Sequence, residues 1–184
     1  MSFENFISEF SVPASLCDTI VEDFNQKKFY HRDSNDFREY TYVSDSDMNE
    51  NLMVEYVTKL NTFVSEYTNS YPGFSMVAGP LKLHLPFNIQ YYPPGKHYSK
   101  LHCENTGDFR YLRRAVVFMT YLNDVEEGGE TIFPYQKLKV KPKKGKTILW
   151  PAYWTHAHLG NVAKTEEKYI TTGWFELKDI RKDG

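Results

Sequence analysis

Along the first third of the chain the apolar positions recur at intervals of three and four. After Pro13, Ala14 and Ser15, the residues Leu16, Ile20, Val21 and Phe24 fall on one face, a helix start followed by amphipathic periodicity. From about residue 48 to 67, Met53, Tyr56, Val57, Leu60, Phe63, Val64 and Tyr67 repeat that spacing, and Tyr71-Pro72-Gly73 predicts a turn that ends it. Each helix has one oily stripe, and both need a sheet to cover.

From residue 80 the period changes to two. Leu83, Leu85, Phe87, Ile89 and Tyr91 alternate with His84, Pro86, Asn88, Gln90 and Tyr92. The alternation predicts a strand whose first set faces the helices and whose second set looks into a cavity, unless a bulge at Pro86 flips half of it. Further strands are predicted over 115–122, 138–141, 147–150 and 169–175, separated by turns such as Glu126-Glu127-Gly128-Gly129 and Lys141-Pro142-Lys143-Lys144-Gly145. Many short strands without intervening helices predict a sandwich, a barrel or a double-stranded jelly roll. No repeat and no second domain is visible, so 1–184 reads as one domain: a helical support region over 1–75 and a β core over 80–177.

Composition narrows the function classes. With 184 residues, 41% of them hydrophobic, the chain is long enough to bury a real core. Lys and Arg number 22 against 24 Asp and Glu, a net charge of -2, so nothing bids electrostatically for nucleic acid or an acidic membrane. The lysines between 137 and 146 read as a solvated loop. Cys17 and Cys103 lie far apart, which argues for reduced thiols rather than a disulfide framework. The acidic start lacks a signal-peptide pattern and no apolar run reaches spanning length, so the expected location is cytoplasmic. The sequence sets no oligomeric state.

The candidate chemistry lies in His102-Cys103-Glu104, answered by His156 and His158 and then by Lys168. In an extended strand residues two apart share a face, so His102 and Glu104 can reach one metal while Cys103 points away. A lone His-x-Glu is weak, but His156 and His158 offer imidazoles on one face of another strand. Lys168, Ile170, Thr172 and Trp174 share a face of the next, where an ammonium calls for a bound carboxylate as partner. Two imidazoles and one carboxylate form the protein ligand set of a non-haem Fe(II) site with open coordination positions.

The ordered segments carry a resemblance. They are Gln90-Tyr91-Tyr92 before Gly95, His102-Cys103-Glu104, and Arg114 leading to Tyr121-Leu122-Asn123-Asp124-Val125-Glu126-Glu127-Gly128-Gly129-Glu130-Thr131. Trp150-Pro151, His158 and Lys168-Tyr169-Ile170-Thr171-Thr172-Gly173-Trp174 complete the series. Over 81–175 the chain resembles the Fe(II)/2-oxoglutarate dioxygenases, in particular the short bacterial and phage-type prolyl 4-hydroxylases. The resemblance implies a mainly β fold with N-terminal helices, a double-stranded β-helix (jelly roll) with the helices on the outer face of one sheet. It implies iron ligands His102, Glu104 and His158, the last preferred over His156 because the family places this histidine ten residues before the lysine. Lys168 would bind the distal carboxylate of 2-oxoglutarate, with Tyr92 and Thr172 beside it. Trp174 would line the pocket, and Arg114 would face the substrate.

The cofactor and co-substrates implied are Fe(II), 2-oxoglutarate and O2, with ascorbate as an auxiliary reductant. The implied reaction hydroxylates a prolyl residue in a peptide or protein, and a free amino acid or other small molecule is the alternative on the same scaffold. Two features depart from the family pattern. Glu104 stands where most members carry aspartate, and the segment between Tyr92 and His102 is one residue longer, which makes Tyr91 the substitute for Tyr92. A retained carboxylate disfavours halogenation, and lysine at 168, where nucleic-acid demethylases generally use arginine, disfavours that class. Outside enzymes, the rival is a metal-free jelly-roll module binding a carbohydrate or peptide on its 14 Tyr and 13 Phe.

Overall fold

The computed structural model describes residues 4–27, 31–35 and 38–178. In chain order the elements are strand β1 (Ser8–Ser11), helix α1 (Ala14–Asn25), strands β2 (His31–Asn35) and β3 (Arg38–Ser44), and helices α2 (Glu50–Ser70) and α3 (Pro72–Val77). Strands β4 (Leu81–Leu83), β5 (Asn88–Tyr92), β6 (Arg114–Tyr121), β7 (Thr131–Phe133) and β8 (Leu138–Val140) follow. The last are β9 (Lys146–Pro151), β10 (Leu159–Gly160) and β11 (Lys168–Leu177). Among the described residues the strands form an eight-stranded sheet in the order β1-β9-β6-β11-β5-β3-β2, with β4 also on β11, and a small sheet β10-β7-β8. Every pairing is antiparallel. The fold is mainly β, a curled antiparallel half-barrel of jelly-roll type with helices on one face.

The helices form where the spacing predicts. In α2 the buried residues are Leu52, Tyr56, Leu60, Phe63 and Tyr67, and the Asn49 side chain caps its start by accepting from the Asn51 (3.1 Å) and Leu52 (3.4 Å) backbone N–H groups. Leu16, Cys17, Ile20 and Phe24 are the buried stripe of α1. Both stripes pack on Phe87, Ile89, Val116, Phe118, Leu149, Tyr169 and Phe175 of the large sheet. Each fully buried aliphatic side chain there contributes roughly 1.5–3 kcal/mol. The packing is close: a Cβ at Gly173 would fall 2.6 Å from a Phe118 ring carbon and from the Phe87 Cβ. At the centre of this side, buried hydroxyls satisfy one another. The Tyr56 hydroxyl bonds those of Thr120 (2.8 Å) and Thr171, and Thr120 reaches Thr147 at 2.7 Å.

The opposite face of the same strands turns toward the small sheet, where Phe133 and Val140 cluster with Val117, Met119, Tyr121 and Trp150. The predicted alternation holds from Phe87 on: Phe87, Ile89 and Tyr91 join the helix-side core, while Asn88, Gln90 and Tyr92 line a cavity. Leu83 joins the same core, and the alternation is broken only at Leu85. Leu85 is 53% exposed and precedes a cis peptide to Pro86, where the ladder is interrupted between β4 and β5.

The support region is not purely helical. It contributes β1 to the edge at β9, and β3 with β2 to the edge at β5, so the large sheet draws three strands from the first 44 residues. Pro72 begins the short α3 rather than a turn, as suits proline at a first helical position. Among the described residues no helix is long and apolar enough to cross a membrane.

Candidate active site

Backbone pairing, not a continuous strand, brings the two halves of the motif together. The N–H of His102 donates to the carbonyl of His158 (3.0 Å), and that of His158 donates to His102 (2.8 Å), a single antiparallel bridge between two loops. Two residues on, the N–H groups of Glu104 (3.0 Å) and Asn105 (2.8 Å) both donate to the carbonyl of Ala152, just beyond β9. The Asn105 side chain then donates to the carbonyls of Leu112 (3.0 Å) and Arg114 (2.8 Å), pinning the loop to the start of β6. The expectation that His102 and Glu104 lie on a strand is therefore corrected, although their side chains do converge. The Cys103 thiol turns back to the Asn105 carbonyl at 3.3 Å.

Both imidazoles are held in one tautomer. Nδ1 of His102 lies 2.9 Å from the Lys100 carbonyl and Nδ1 of His158 lies 3.1 Å from the His156 carbonyl. A carbonyl can only accept, so each Nδ1 carries a hydrogen and each Nε2 is the atom left facing Glu104, the one whose lone pair a metal would take. Glu104 Oε1 sits 3.3 Å from Nε2 of His102 and 3.7 Å from Nε2 of His158. One donor atom from each residue falls within 4.8 Å of the others, a separation that a single ion can bridge. Burial, with the neighbouring His102, pushes His158 down to about 4, so its ring is neutral and able to ligate at neutral pH. Burial alone would raise Glu104, but its hydrogen bond to His102 and its charged surroundings, Arg114 among them, prevail and hold it at about 2. An ionised carboxylate with two oriented imidazole lone pairs fits Fe(II) in donor type and number.

His156 goes elsewhere. It ends a 3₁₀ turn over Trp154–His156, and its ring nitrogens meet the Thr155 hydroxyl (3.0 Å) and the Asn5 carbonyl (2.9 Å). The shared strand face expected for the two histidines does not form, because that turn rotates one ring away from the other.

These groups lie in a cavity of about 410 Å³ whose lining also includes Lys168, Ile170, Thr172 and Trp174, the predicted row of β11. Lys168 is 5% exposed, its Nζ donating to the Gly129 carbonyl at 3.3 Å and standing 4.9 Å over the Tyr92 ring. Gly128 and Gly129 both take positive φ, so the turn quoted in the motif delivers that carbonyl. Such partial charges offset part of the cost of burying an ammonium. Burial lowers Lys168 to about 8 against the pull of Glu130. Tyr92 pairs with Lys168 across the ladder and its hydroxyl donates to Gln90 Oε1 at 2.8 Å, whereas Tyr91 packs among Phe24 and Tyr169 on the helix side. Thr172 lines the cavity, its hydroxyl donating to the Phe118 carbonyl at 3.3 Å.

Arg114 and Trp174 are drawn onto Glu104. The Trp174 indole N–H donates to Oε2 at 3.0 Å, and Arg114 Nη1 stands 3.6 Å from the same oxygen. The guanidinium is stacked 3.4 Å from the Trp174 ring centre and 4.1 Å from that of Tyr111, and Arg114 is 9% exposed. Two aromatics beside the ligands have no site role assigned by the sequence: Tyr98, whose ring lies 4.2 Å from that of His102, and Trp150, edge-on to His158 at 5.0 Å. Tyr98 stands in a loop without periodicity. Trp150 was visible as an aromatic on the cavity parity of β9.

The profile of the 2OG-Fe(II) oxygenase superfamily matches residues 87–176. The sequence is 31% identical to probable prolyl 4-hydroxylase 9 of Arabidopsis thaliana over a match that covers 50% of this chain and 41% of that protein's length. The viral collagen prolyl hydroxylase of Paramecium bursaria Chlorella virus-1, solved as a 2OG complex, superposes with a TM-score of 0.70 at 24% identity, covering 94% of this chain and 97% of the other. A prolyl hydroxylase from Trichoplax adhaerens, in complex with a hypoxia inducible factor peptide fragment, superposes with a TM-score of 0.71 at 15% identity, covering 94% and 84%.

Proposed function

Because residues 87–176 belong to the 2OG-Fe(II) oxygenase superfamily, we propose that this protein is an Fe(II)- and 2-oxoglutarate-dependent dioxygenase that hydroxylates a prolyl residue of a peptide or protein. The observation that carries the proposal is one carboxylate oxygen facing two oriented imidazole nitrogens at 3.3 and 3.7 Å, in a cavity that a buried lysine also enters. The prolyl target is supported by the prolyl 4-hydroxylase relative and by the peptide held in the Trichoplax structure. Iron bound there supplies the oxidising chemistry, in which 2-oxoglutarate is converted to succinate and carbon dioxide as oxygen from O2 enters a C–H bond.

The chain's own residues bind, orient and exclude water. His102, Glu104 and His158 would hold the metal, the two imidazoles kept in register by the Lys100 and His156 carbonyls. Lys168 fixes the distal carboxylate of 2-oxoglutarate by a charge-assisted hydrogen bond, strengthened by its burial. Tyr92 supports that ammonium from below, and Thr172 shapes the same wall.

Succinate release, measured anaerobically and then in air with Fe(II), 2-oxoglutarate and ascorbate, tests the assignment against proline-rich peptides, free proline and other free amino acids. The expected result is stimulation by a peptide that gains one oxygen atom at a proline. Stimulation by a free amino acid alone would replace the peptide target, and no oxygen-dependent succinate with any substrate would end the dioxygenase reading.

A further inference from the structure

The two oxygens of Glu104 have different surroundings. Oε1 faces the two imidazole nitrogens, while Oε2 accepts from the Trp174 indole at 3.0 Å and has Arg114 Nη1 at 3.6 Å. Glutamate reaches one methylene further than aspartate and adds one more rotatable bond, so its carboxylate can swing to present both oxygens to a metal. Two bound oxygens would occupy a coordination position that a two-histidine, one-carboxylate site keeps open.

From this division we infer that Trp174 and Arg114 are positioning residues that hold Glu104 to one-oxygen ligation, by tethering Oε2 away from the metal position. The inference rests on Glu104 being a metal ligand, as proposed above. The tether is itself fixed. Arg114 lies between the Tyr111 and Trp174 rings at 4.1 and 3.4 Å, and its backbone carbonyl accepts from Asn105, next to Glu104 in the chain. The guanidinium is thereby oriented by stacking on two rings, a geometry that lysine does not reproduce. Arg114 is thus engaged inward by the metal ligand, and the wall assigned to substrate on the strength of resemblance doubles as the support of the carboxylate.

The test is a double-mutant cycle on Co(II) binding, read by calorimetry and by the visible spectrum of the metal, with far-UV circular dichroism as the control for folding. Trp174→Phe keeps the ring over Arg114 and removes the N–H. Loss of an outer partner of a metal ligand typically costs about 10- to 100-fold in metal affinity, and that loss is expected here together with a changed Co(II) spectrum. In a Glu104→Asp background the shortened side chain withdraws from the indole, so Trp174→Phe is expected to leave both affinity and spectrum where Glu104→Asp alone puts them. An unchanged affinity and spectrum for Trp174→Phe in the otherwise native chain would overturn the inference, as would equal losses in both backgrounds. Glu104→Ala separates the two levels: Co(II) binding that survives it removes the ligand assignment itself. Binding lost in Glu104→Ala but additive in the cycle removes only the tether.

Discussion

The two faces of the large sheet are built from the same strands, residue by alternate residue, yet they bury opposite kinds of chemistry. Toward the helices, β5, β6 and β11 present Ile89, Val116, Phe118, Tyr169 and Phe175, with hydroxyls that pair among themselves. Toward the cavity they present Gln90, Tyr92, Met119, Lys168, Thr172 and Trp174, and Lys168 is buried there as deeply as the apolar residues behind it. A face that serves stability pairs its polar atoms internally. A face that serves chemistry leaves charge to be completed by a ligand, and the folded chain bears that cost.

Substitutions on the two faces should therefore fail in different assays. His158→Ala is expected to have the largest effect, taking Co(II) binding and succinate release to background while the protein still folds cooperatively. Metal titration and turnover under the conditions above check it. A variant that still binds metal with native affinity would move the site away from this cavity face.

Leu60→Ala is the matching change on the other face. Leu60 is wholly buried in α2, and deleting such a side chain costs about 2–5 kcal/mol of stability. Denaturant unfolding should show that loss, while the folded fraction binds Co(II) within about twofold of the parent, as independent sites do. A large fall in metal affinity would mean that the helix-side core sets the geometry of the ligands, and the separation of the faces would not stand.

That separation was legible in advance wherever a strand kept its period. Phe87, Ile89 and Tyr91 against Asn88, Gln90 and Tyr92 follow strict alternation, and so does the row from Lys168 to Trp174. It was not legible at Leu85, where the break before Pro86 releases the side chain to solvent. Strand β2 is the polar run His31-Arg32-Asp33-Ser34-Asn35, with no apolar alternation to mark it, and in β3 only Tyr40 and Tyr42 alternate with polar neighbours, a signal too short to stand out. The ligand residues were legible as types and spacings, but not as backbone. His102, Glu104 and His158 are placed by bonds to each other's loops and to Ala152, nearly fifty residues on from Glu104, and no local pattern encodes a contact of that range. Between His156 and His158 the ten-residue spacing to Lys168 favours His158, while the turn that sends the His156 ring to the Asn5 carbonyl has no sequence signal of its own.

The smallest of these effects addresses the cavity face most directly. Lys168→Met removes the ammonium but keeps an unbranched apolar stem. Hydrogen bonds to charged groups are worth about 1.5–3 kcal/mol, so 2-oxoglutarate affinity of the Co(II) protein should fall roughly 10- to 100-fold. Ligand-free stability should move the other way. Burial lowers Lys168 from the ordinary 10.5 to about 8, so below pH 8 the folded state carries a charged group it holds unfavourably, and at neutral pH Lys168→Met should be the more stable protein. Between pH 8 and 10.5 the unfolded chain keeps the proton that the folded chain releases. Stability of the parent therefore rises with pH relative to the variant, and the gap narrows across that window. Parallel denaturant titrations at pH 7, 8.5 and 10 measure the gap. If Lys168→Met is instead the less stable protein at every pH, the Gly129 carbonyl and the Tyr92 ring already satisfy the ammonium. Lys168 would then belong with the internally paired groups of the helix side, and charge held open for a ligand would no longer distinguish the two faces.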